Sequence, residues 1–201
     1  MRSYTVPKIQ GTPDWNAIPV MPIDNHQWLE PVDITAQTQV CWDNDGLYIR
    51  QVAVEANIRA QQEGPLAMPC VDSCLEFFIR PTERMDYLNF ELNPKCALYL
   101  GYGPNGAGLT RLLVRDVNKL FAPKAQLTDD GWELTYRIPF AFIRQFFPEF
   151  APKAGLVMHA NTYKCGDSTV KPHYMSWNYI DLEKPNFHCP EHFGELILGG
   201  E

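Results

Sequence analysis

The sequence of 201 residues has no long apolar run and few basic side chains. No segment approaches the roughly 18 consecutive apolar residues of a membrane helix, and the start MRSYTVPKIQ lacks the apolar centre of a secretory signal. The sequence has 17 lysines and arginines and 24 aspartates and glutamates. The resulting net charge of −7 disfavours nucleic acid and anionic membranes as partners. We therefore expect neither partner, and a protein that is cytoplasmic as given or secreted and processed.

Cysteine is also scarce, since six residues are too few to staple a chain that is long enough to bury a full core. Cys70 and Cys74 in CVDSC are not spaced as a CxxC pair, and no second pair completes a zinc site. Thiols in apolar, strand-like segments behave as small hydrophobes. The segments of this kind contain Cys41, Cys74 and Cys165. We predict free thiols, no metal ligands and no cofactor.

Short strand-like segments separated by turn signals make up most of the chain. QVCWDNDGLYIRQVAVEA predicts a hairpin, because Asp45-Gly46 supplies the positive φ of a tight turn. A helical pattern occurs only near residues 139–147, and it ends at Pro148. The pattern predicts an all-β fold, a single antiparallel β-sandwich of jelly-roll type over residues 1–201 with one short helix. Residues 1–30, rich in proline, are expected to form an irregular arm packed on it.

The strand-like segments predict a sheet with one apolar and one polar face. In DYLNFELNP, Leu88 and Phe90 alternate with Asn89 and Glu91, so amide and carboxyl groups share the outward side. Lys164 is a further candidate donor, although strand alternation places it opposite Asn161. The candidates on this polar face are Glu76, Asn89, Glu91, Asn93, Arg137, Asn161, Tyr163 and Lys164.

The closing stretch from His159 to Leu198 crowds aromatic, amide, imidazole and charged side chains into a loop between two strands. Long aromatic loops held by proline are common positions for binding residues. His173, Tyr174 and Trp177 are its candidates. Trp177 is either a packing residue or an exposed ring that stacks on a ligand.

The order of DGLYI, DSCLEFFI, YLNFELNP, GWELTYRIPF, NTYKCGD and a tryptophan followed by FGELIL resembles carbohydrate-binding module family 9 over roughly residues 30–198. The resemblance implies a non-catalytic β-sandwich that holds the end of a saccharide chain between aromatic rings, beside carboxylate and amide groups and often structural calcium. Glu76 matches the strand carboxylate that bonds sugar hydroxyls, and Trp177 matches the later of two sandwiching tryptophans.

The chain departs from the family pattern at the ligand site. Cys70 stands where the first tryptophan would lie, with Met68 the nearest bulky residue. Glu91 replaces an expected basic residue, and Tyr174 replaces an expected amide. We predict a divergent family member that binds a mono- or oligosaccharide on the polar face beside the aromatic loop, in carbohydrate catabolism, with an oligomeric state that the sequence leaves open.

Two other functions fit parts of the sequence. Glu76 and Glu91 on neighbouring strands would serve as acid and base of a glycoside-active enzyme. Similar sandwiches bind haem through a methionine and a histidine, but Met158 and His159 are adjacent and point to opposite faces of a strand. The other candidates for the second haem ligand are Met68, Met85, His173 and His188.

Calcium is a further expectation, at the turn of the first hairpin. Asp43, Asn44 and Asp45 offer the oxygen ligands that calcium prefers, while a plain turn explains the same residues equally well.

Overall fold

Strands dominate the computed structural model, which describes residues 1–200. The strands are β1 (Ser3–Val6), β2 (Met21–Ile23), β3 (Asn25–His26), β4 (Thr35–Trp42), β5 (Gly46–Val54), β6 (Cys74–Arg80), β7 (Tyr87–Leu92), β8 (Leu98–Gly103), β9 (Thr110–Arg111), β10 (Lys124–Leu127), β11 (Gly131–Pro139), β12 (Val157–Cys165), β13 (Tyr174–Ser176) and β14 (Gly194–Leu198). The α-helices are α1 (Val117–Phe121) and α2 (Phe140–Ile143). Across residues 1–200, no helix has the length and apolar character needed to span a membrane.

The strands form two sheets. The large sheet has nine strands in the order β1-β14-β12-β6-β7-β8-β9, with β13 paired to β12 and β3 paired to β13. The small sheet has five strands in the order β10-β11-β5-β4-β2. Neighbouring strands are antiparallel except β1 and β14, which are parallel. The predicted antiparallel β-sandwich is confirmed.

The main core lies between the two sheets. Phe90 of β7 stacks on Tyr136 of β11 with ring centroids 6.0 Å apart, and both rings are buried. Polar groups also cross the layer, since Gln51 Nε2 on β5 donates to the backbone carbonyl of Glu76 on β6 at 3.0 Å. Each strand therefore turns one side-chain row toward the facing sheet, as the alternating sequence pattern predicts.

The predicted hairpin is present, with β4 and β5 paired in register from Thr35–Val54 to Trp42–Leu47. The predicted helix near residues 139–147 is shorter, because α2 ends at Ile143 and turns follow. Helix α1 was not predicted, since five residues are too few to show a helical period.

The prediction of an irregular arm over residues 1–30 is wrong in part. β1, β2 and β3 lie in this segment and pair with β14, β4 and β13. Such short strands leave little periodicity in a sequence interrupted by proline.

The outer face of the large sheet, turned away from the small sheet, is also covered. β13 and β14 pair with successive parts of β12, Tyr163–Cys165 and Val157–Ala160. The loop between them, residues 177–193, leaves the edge of the sheet and crosses its outer face. A second apolar cluster forms beneath it, of Cys74, Phe78, Tyr87, Tyr163, Cys165, Ile180, Phe187, Cys189 and Phe193. This loop is called the roof loop below.

Candidate functional site

The roof loop and its neighbours border an open cavity of about 310 Å³ on the outer face of the large sheet. This volume is at the lower end of the range of about 300–1,000 Å³ that small-molecule sites occupy. Its strand residues are Glu76, Glu91, Tyr99 and Cys165. Tyr174, at the start of β13, also lines it, and the remaining lining residues are Met68, Cys70, Asp167 and residues 185–188.

Two carboxyl groups form the polar floor of the cavity. Glu76 on β6 and Glu91 on β7 are direct cross-strand partners, and their side chains are 3% and 5% exposed. Directly opposed residues of an antiparallel pair have Cβ atoms about 4.5–5.5 Å apart, so the carboxyls share one patch. Cys165 Sγ donates to Glu76 Oε1 at 3.0 Å, and Asn89 Nδ2 donates to Glu91 Oε1 at 2.7 Å.

Burial determines the protonation of these acids. It raises the pKa of Glu76 to about 7, partly offset by the hydrogen bond from Cys165. Burial, and next the charge of Glu76, raise the pKa of Glu91 well above its usual range. The pKa of Asp167 is also raised by burial. A carboxyl that keeps its proton near pH 7 donates one hydrogen bond and accepts others, as a polyhydroxylated ligand requires.

We expect Glu76 to make the unfolding free energy depend on pH. Its pKa is higher in the folded than in the unfolded chain, so its stabilising contribution is complete below about pH 4.5 and is lost as the pH rises through 7. Glu76→Gln removes this titration. Relative to wild type, the variant should therefore gain about 2 kcal/mol of stability between pH 5 and 7, measured by urea unfolding in EDTA.

The unfolding free energy of Glu76→Gln is compared with that of wild type at each pH, because other groups also titrate between pH 5 and 7. Burial, and next the charge of Lys164, lower the pKa of His173 to about 4, which gives wild type a slope of opposite sign. Glu30→Gln, at an exposed loop position, is the control and should show no pH-dependent difference from wild type. A Glu76→Gln difference that is flat from pH 5 to 7 would contradict the raised pKa.

Aromatic rings and the thioether of Met68 form the walls of the cavity. Phe187 of the roof loop stacks on Tyr163 with centroids 4.1 Å apart and planes 10° from parallel. Tyr174 meets Phe187 edge to face at 5.9 Å, and Trp28 packs behind both rings. The cavity thus sets apolar ring surface beside carboxyl groups.

The lining is acidic. Among residues 1–200, it contains the carboxyls of Glu76, Glu91 and Asp167 and neither lysine nor arginine. Arg111 is close but lies behind the wall, with its guanidinium 4.6 Å from the Tyr99 ring centroid and donating to the carbonyl of Ala67. An anionic ligand would therefore find no cationic side chain to pair with among the described residues of the lining.

The structure brings together five of the predicted site residues. Glu76, Glu91 and Tyr174 line the cavity. Asn89 fixes the Glu91 carboxyl from a fully buried position, and Tyr163 supports Phe187 from below. These residues alternate along strands or flank the turn after β12, which is the pattern from which they were predicted.

Trp177 and Arg137 lie elsewhere. Trp177 is 3% exposed in the core between the sheets, so the prediction of an exposed stacking ring is wrong. Its indole packs so closely on Gly194 that a Cβ there would lie 2.5 Å from Trp177 Cζ3. Arg137 is on β11 of the small sheet, where it donates to the carbonyls of Lys119 and Leu120. The prediction that Arg137 shares the polar face of one sheet with Glu91 is therefore wrong.

Lys164 and His173 also face away from the cavity. Lys164 is fully buried between the sheets, where Nζ contacts Glu55 Oε1 at 3.2 Å, His173 Nε2 at 2.8 Å and the Cys165 carbonyl at 3.0 Å. Strand alternation requires this, since Tyr163 and Cys165 point outward. The assignment of both residues to the ligand surface is wrong for these side chains.

Asn93 and Asn161 are fully buried and hold the backbone. Asn93 Oδ1 accepts from the backbone N–H groups of Lys95 and Ala97 in the turn after β7. Asn161 Oδ1 accepts from the backbone N–H of Asn178, and its Nδ2 donates to the Asn178 carbonyl. The Asn93 bonds hold the turn after β7 and the Asn161 bonds hold the start of the roof loop, so neither amide lines the cavity.

Several lining residues were missed as ligand-binding candidates. Asp167 lies just after β12 and was not named as a candidate, and Cys165 was interpreted as a small hydrophobic thiol. Phe187 and His188 lie in a segment without periodicity, so only the three-dimensional path of the roof loop reveals their position. His188 Nδ1 shares a hydrogen bond of 2.8 Å with the Tyr87 hydroxyl. The alternating position of Tyr99 beside Glu91 was the only local signal that pointed to any of them.

Several residues named for calcium and haem make other contacts in the structure. Asp43 Oδ1 accepts from the N–H groups of Asp45 and Gly46, and Oδ2 accepts from the Tyr48 hydroxyl, which is the donor set of a turn. Met68 and His188 line the same cavity, where His188 Nδ1 is hydrogen-bonded to the Tyr87 hydroxyl. Met158 is buried in the main core.

A sandwich with an acidic, aromatic cavity on one outer face has the features of a ligand-binding module for small polar molecules. The chain belongs to carbohydrate-binding family 9, because the model of that family matches residues 9–198. Members of this family are non-catalytic binding modules. No curated protein sequence matches the chain significantly.

Solved structures agree with this assignment. A protein from Bacteroides uniformis ATCC 8492 that is proposed to bind carbohydrate is 28% identical, with a TM-score of 0.84 over 98% of this chain and 99% of that chain. A family 9 module from Caldicellulosiruptor kristjanssonii in complex with cellotriose is 16% identical, with a TM-score of 0.69 over 98% and 94% of the two chains. A module from the same organism in complex with glucose is 19% identical, with a TM-score of 0.67 over 99% and 94%. At these last two identities the likeness concerns the fold.

Proposed function

We propose that this protein binds the end of a neutral saccharide in the cavity beneath the roof loop. It binds the saccharide without catalysing a reaction and acts in carbohydrate catabolism. The observation that carries the proposal is the convergence of Glu76, Glu91 and Asp167 with the rings of Tyr174 and Phe187 around one open cavity. Glucose and cellotriose are ligands of the structurally similar modules from Caldicellulosiruptor kristjanssonii, which supports this ligand class.

The aromatic rings of the cavity suit the apolar C–H faces of a sugar, and its carboxyls suit the hydroxyls. Pyranose rings have apolar C–H faces that pack on aromatic rings, and Tyr174 and Phe187 supply such rings. Hydroxyls donate and accept, and so does a protonated carboxyl such as Glu91. Each hydroxyl exchanges water for protein partners at a net gain of only about 0.5–1.5 kcal/mol. We expect dissociation constants on the order of micromolar to millimolar, about 4–8 kcal/mol in total.

Tyr174→Ala is expected to weaken saccharide binding about tenfold. A tenfold loss corresponds to about 1.4 kcal/mol, which is the order expected for removing an aromatic contact with the ligand at about 25 cal/mol per Å² of buried apolar area. Calorimetric titration with glucose, cellobiose, cellotriose and a broader panel, including a uronic acid and an amino sugar, measures the effect. The uronic acid should bind worst because the lining formed by residues 1–200 offers no cationic partner to its carboxylate and would force nearby carboxyls to stay protonated.

Tyr179→Ala is the matched control, since Tyr179 is a tyrosine of the same region that is 58% exposed and does not line the cavity. It should bind like wild type. Binding that survives Tyr174→Ala, or a panel that gives no heat with wild type, would count against the cavity as the saccharide site.

The enzymatic alternative has a separate readout. Glu76 and Glu91 are cross-strand neighbours, a spacing that retaining glycosidases also use at about 5–5.5 Å, so the expectation of no turnover rests on the non-catalytic family. We expect no release of reducing sugar from any glycan that binds. Release that Glu76→Gln abolishes would instead establish an enzyme.

A further inference from the structure

We infer that Cys74, Glu76 and Cys165 form a binding site for a thiophilic divalent cation, zinc in the first instance, in the floor of the cavity. The two sulfur atoms and a carboxylate oxygen all lie within 4.8 Å of one another. Two thiolates and one carboxylate are ligand types that zinc binds tetrahedrally, and three protein ligands leave a fourth position for water. The sequence alone predicted no metal ligands, because the spacing of these residues matches no zinc motif.

The fold prepares this arrangement on rigid elements. Cys74 and Cys165 are direct cross-strand partners on β6 and β12, and Glu76 lies two residues along β6 on the same face. The backbone of Glu76 is held by two buried donors, since its carbonyl accepts from Thr162 Oγ1 at 2.8 Å and from Gln51 Nε2 at 3.0 Å. Ligands on paired strands keep their geometry better than ligands on loops.

The surroundings supply an entry path and a need for positive charge. Glu76 and Cys165 line the cavity, so an ion reaches them from solvent, while Cys74 lies fully buried behind them. Glu91 and Asp167 add carboxyls around the same volume, and no lysine or arginine of residues 1–200 lines it. A divalent cation that enters here meets carboxyl oxygens and no cationic side chain of these residues in the lining.

Two other arrangements of the same atoms make different predictions. In one, the cluster is only a thiol–carboxyl hydrogen bond, since Cys165 Sγ lies 3.0 Å from Glu76 Oε1. In the other, Cys74 and Cys165 oxidise to a cross-strand disulfide. Neither takes up a stoichiometric metal ion with thiolate ligation while both thiols are reduced.

The test is a titration of the reduced, EDTA-treated full-length protein with cobalt(II), followed by zinc(II). We expect one cobalt per chain, a thiolate-to-cobalt charge-transfer band in the near ultraviolet, intense visible bands of tetrahedral cobalt, and loss of all of them when zinc is added. No saccharide is used, so this result and the result on the proposed function are independent.

Matched variants locate the ion. Loss of an outer partner of a metal ligand costs about 10–100-fold in affinity, so Cys74→Ser, Cys165→Ser and Glu76→Gln should each weaken cobalt binding at least about 100-fold. Cys41→Ser removes an equally buried thiol in β4 of the small sheet and should bind like wild type. Circular dichroism checks that each variant is folded, and Cys96→Ser serves as a second control at a half-buried thiol outside the cluster.

The outcomes are decisive in both directions. A charge-transfer band that both controls retain and that Cys74→Ser, Cys165→Ser and Glu76→Gln lose establishes the site. Fully reduced wild-type protein without such a band overturns the proposal, and so does a band that persists in Cys165→Ser.

Discussion

Trp177→Ala is expected to lower the free energy of unfolding by about 3–5 kcal/mol, the usual cost of truncating a buried tryptophan. The indole is 3% exposed and packs against Gly194 at the start of β14. The backbone around it is also bonded on both sides, since its N–H donates to the Thr162 carbonyl and its carbonyl accepts from Asn25 Nδ2. Removal of the ring leaves a cavity where three strands meet, which urea unfolding measures as a lower midpoint.

Tyr179→Ala is the control, because this ring lies two residues further on and is 58% exposed. Exposed substitutions usually change stability by less than about 0.5 kcal/mol. A Trp177→Ala variant as stable as wild type, with weakened saccharide binding, would show that the tryptophan is a ligand platform and that its buried position is wrong. We expect Trp177→Ala to be less stable than wild type, while the fraction that remains folded binds saccharide with unchanged affinity.

The error over Trp177 shows where local sequence patterns stop being informative. A tryptophan in a proline-flanked loop is compatible with both an exposed ring and a packed one. The difference is decided by β13, a strand of three residues that pairs with β12 and directs Met175 and Trp177 into the core. Such a short strand has no period of its own, so its pairing could not be predicted from the residues alone.

Strand alternation was informative wherever a strand was long. It placed Leu88 and Phe90 in the core and Asn89 and Glu91 on the other face, as the structure has them. It could not show that this other face is covered, since every residue of β7 is buried. The covering loop comes from nearly 90 residues further along the chain, and long-range contacts of this kind are set by tertiary packing and not by local pattern.

The same limit explains the assignment of sites to sheets. Arg137 alternates on β11 as regularly as Glu91 does on β7, but the two strands belong to different sheets. Glu76 and Glu91 were paired correctly because β6 and β7 are joined by a short connection, residues 81–86. Consecutive strands usually pair, whereas the position of β11 depends on the whole order of strands.

Lys164→Met should also cost about 3–5 kcal/mol, because breaking one side of a buried ion pair leaves the other charge without its partner. Lys164 is fully buried and lies 3.2 Å from Glu55, whose side chain is 3% exposed. Methionine fills the space of the lysine stem, so the loss reports the charge and hydrogen bonds more than the volume. Trp132 Nε1 and Ser73 Oγ still donate to Glu55 in the variant, at 2.6 and 2.9 Å, but neither carries a positive charge.

The double variant Lys164→Met/Glu55→Gln tests this cause. Neutralising the orphaned carboxylate should recover a large part of the loss, so the double variant is expected to be more stable than Lys164→Met alone. Lys171→Met, at an exposed lysine in the segment that follows β12, controls for the loss of one positive charge and should change the unfolding free energy by less than about 0.5 kcal/mol. Equal stability of Lys164→Met and Lys171→Met would mean that Lys164 is not paired inside the sandwich. That result would contradict the strand alternation that directs the Lys164 ammonium between the sheets and away from the cavity.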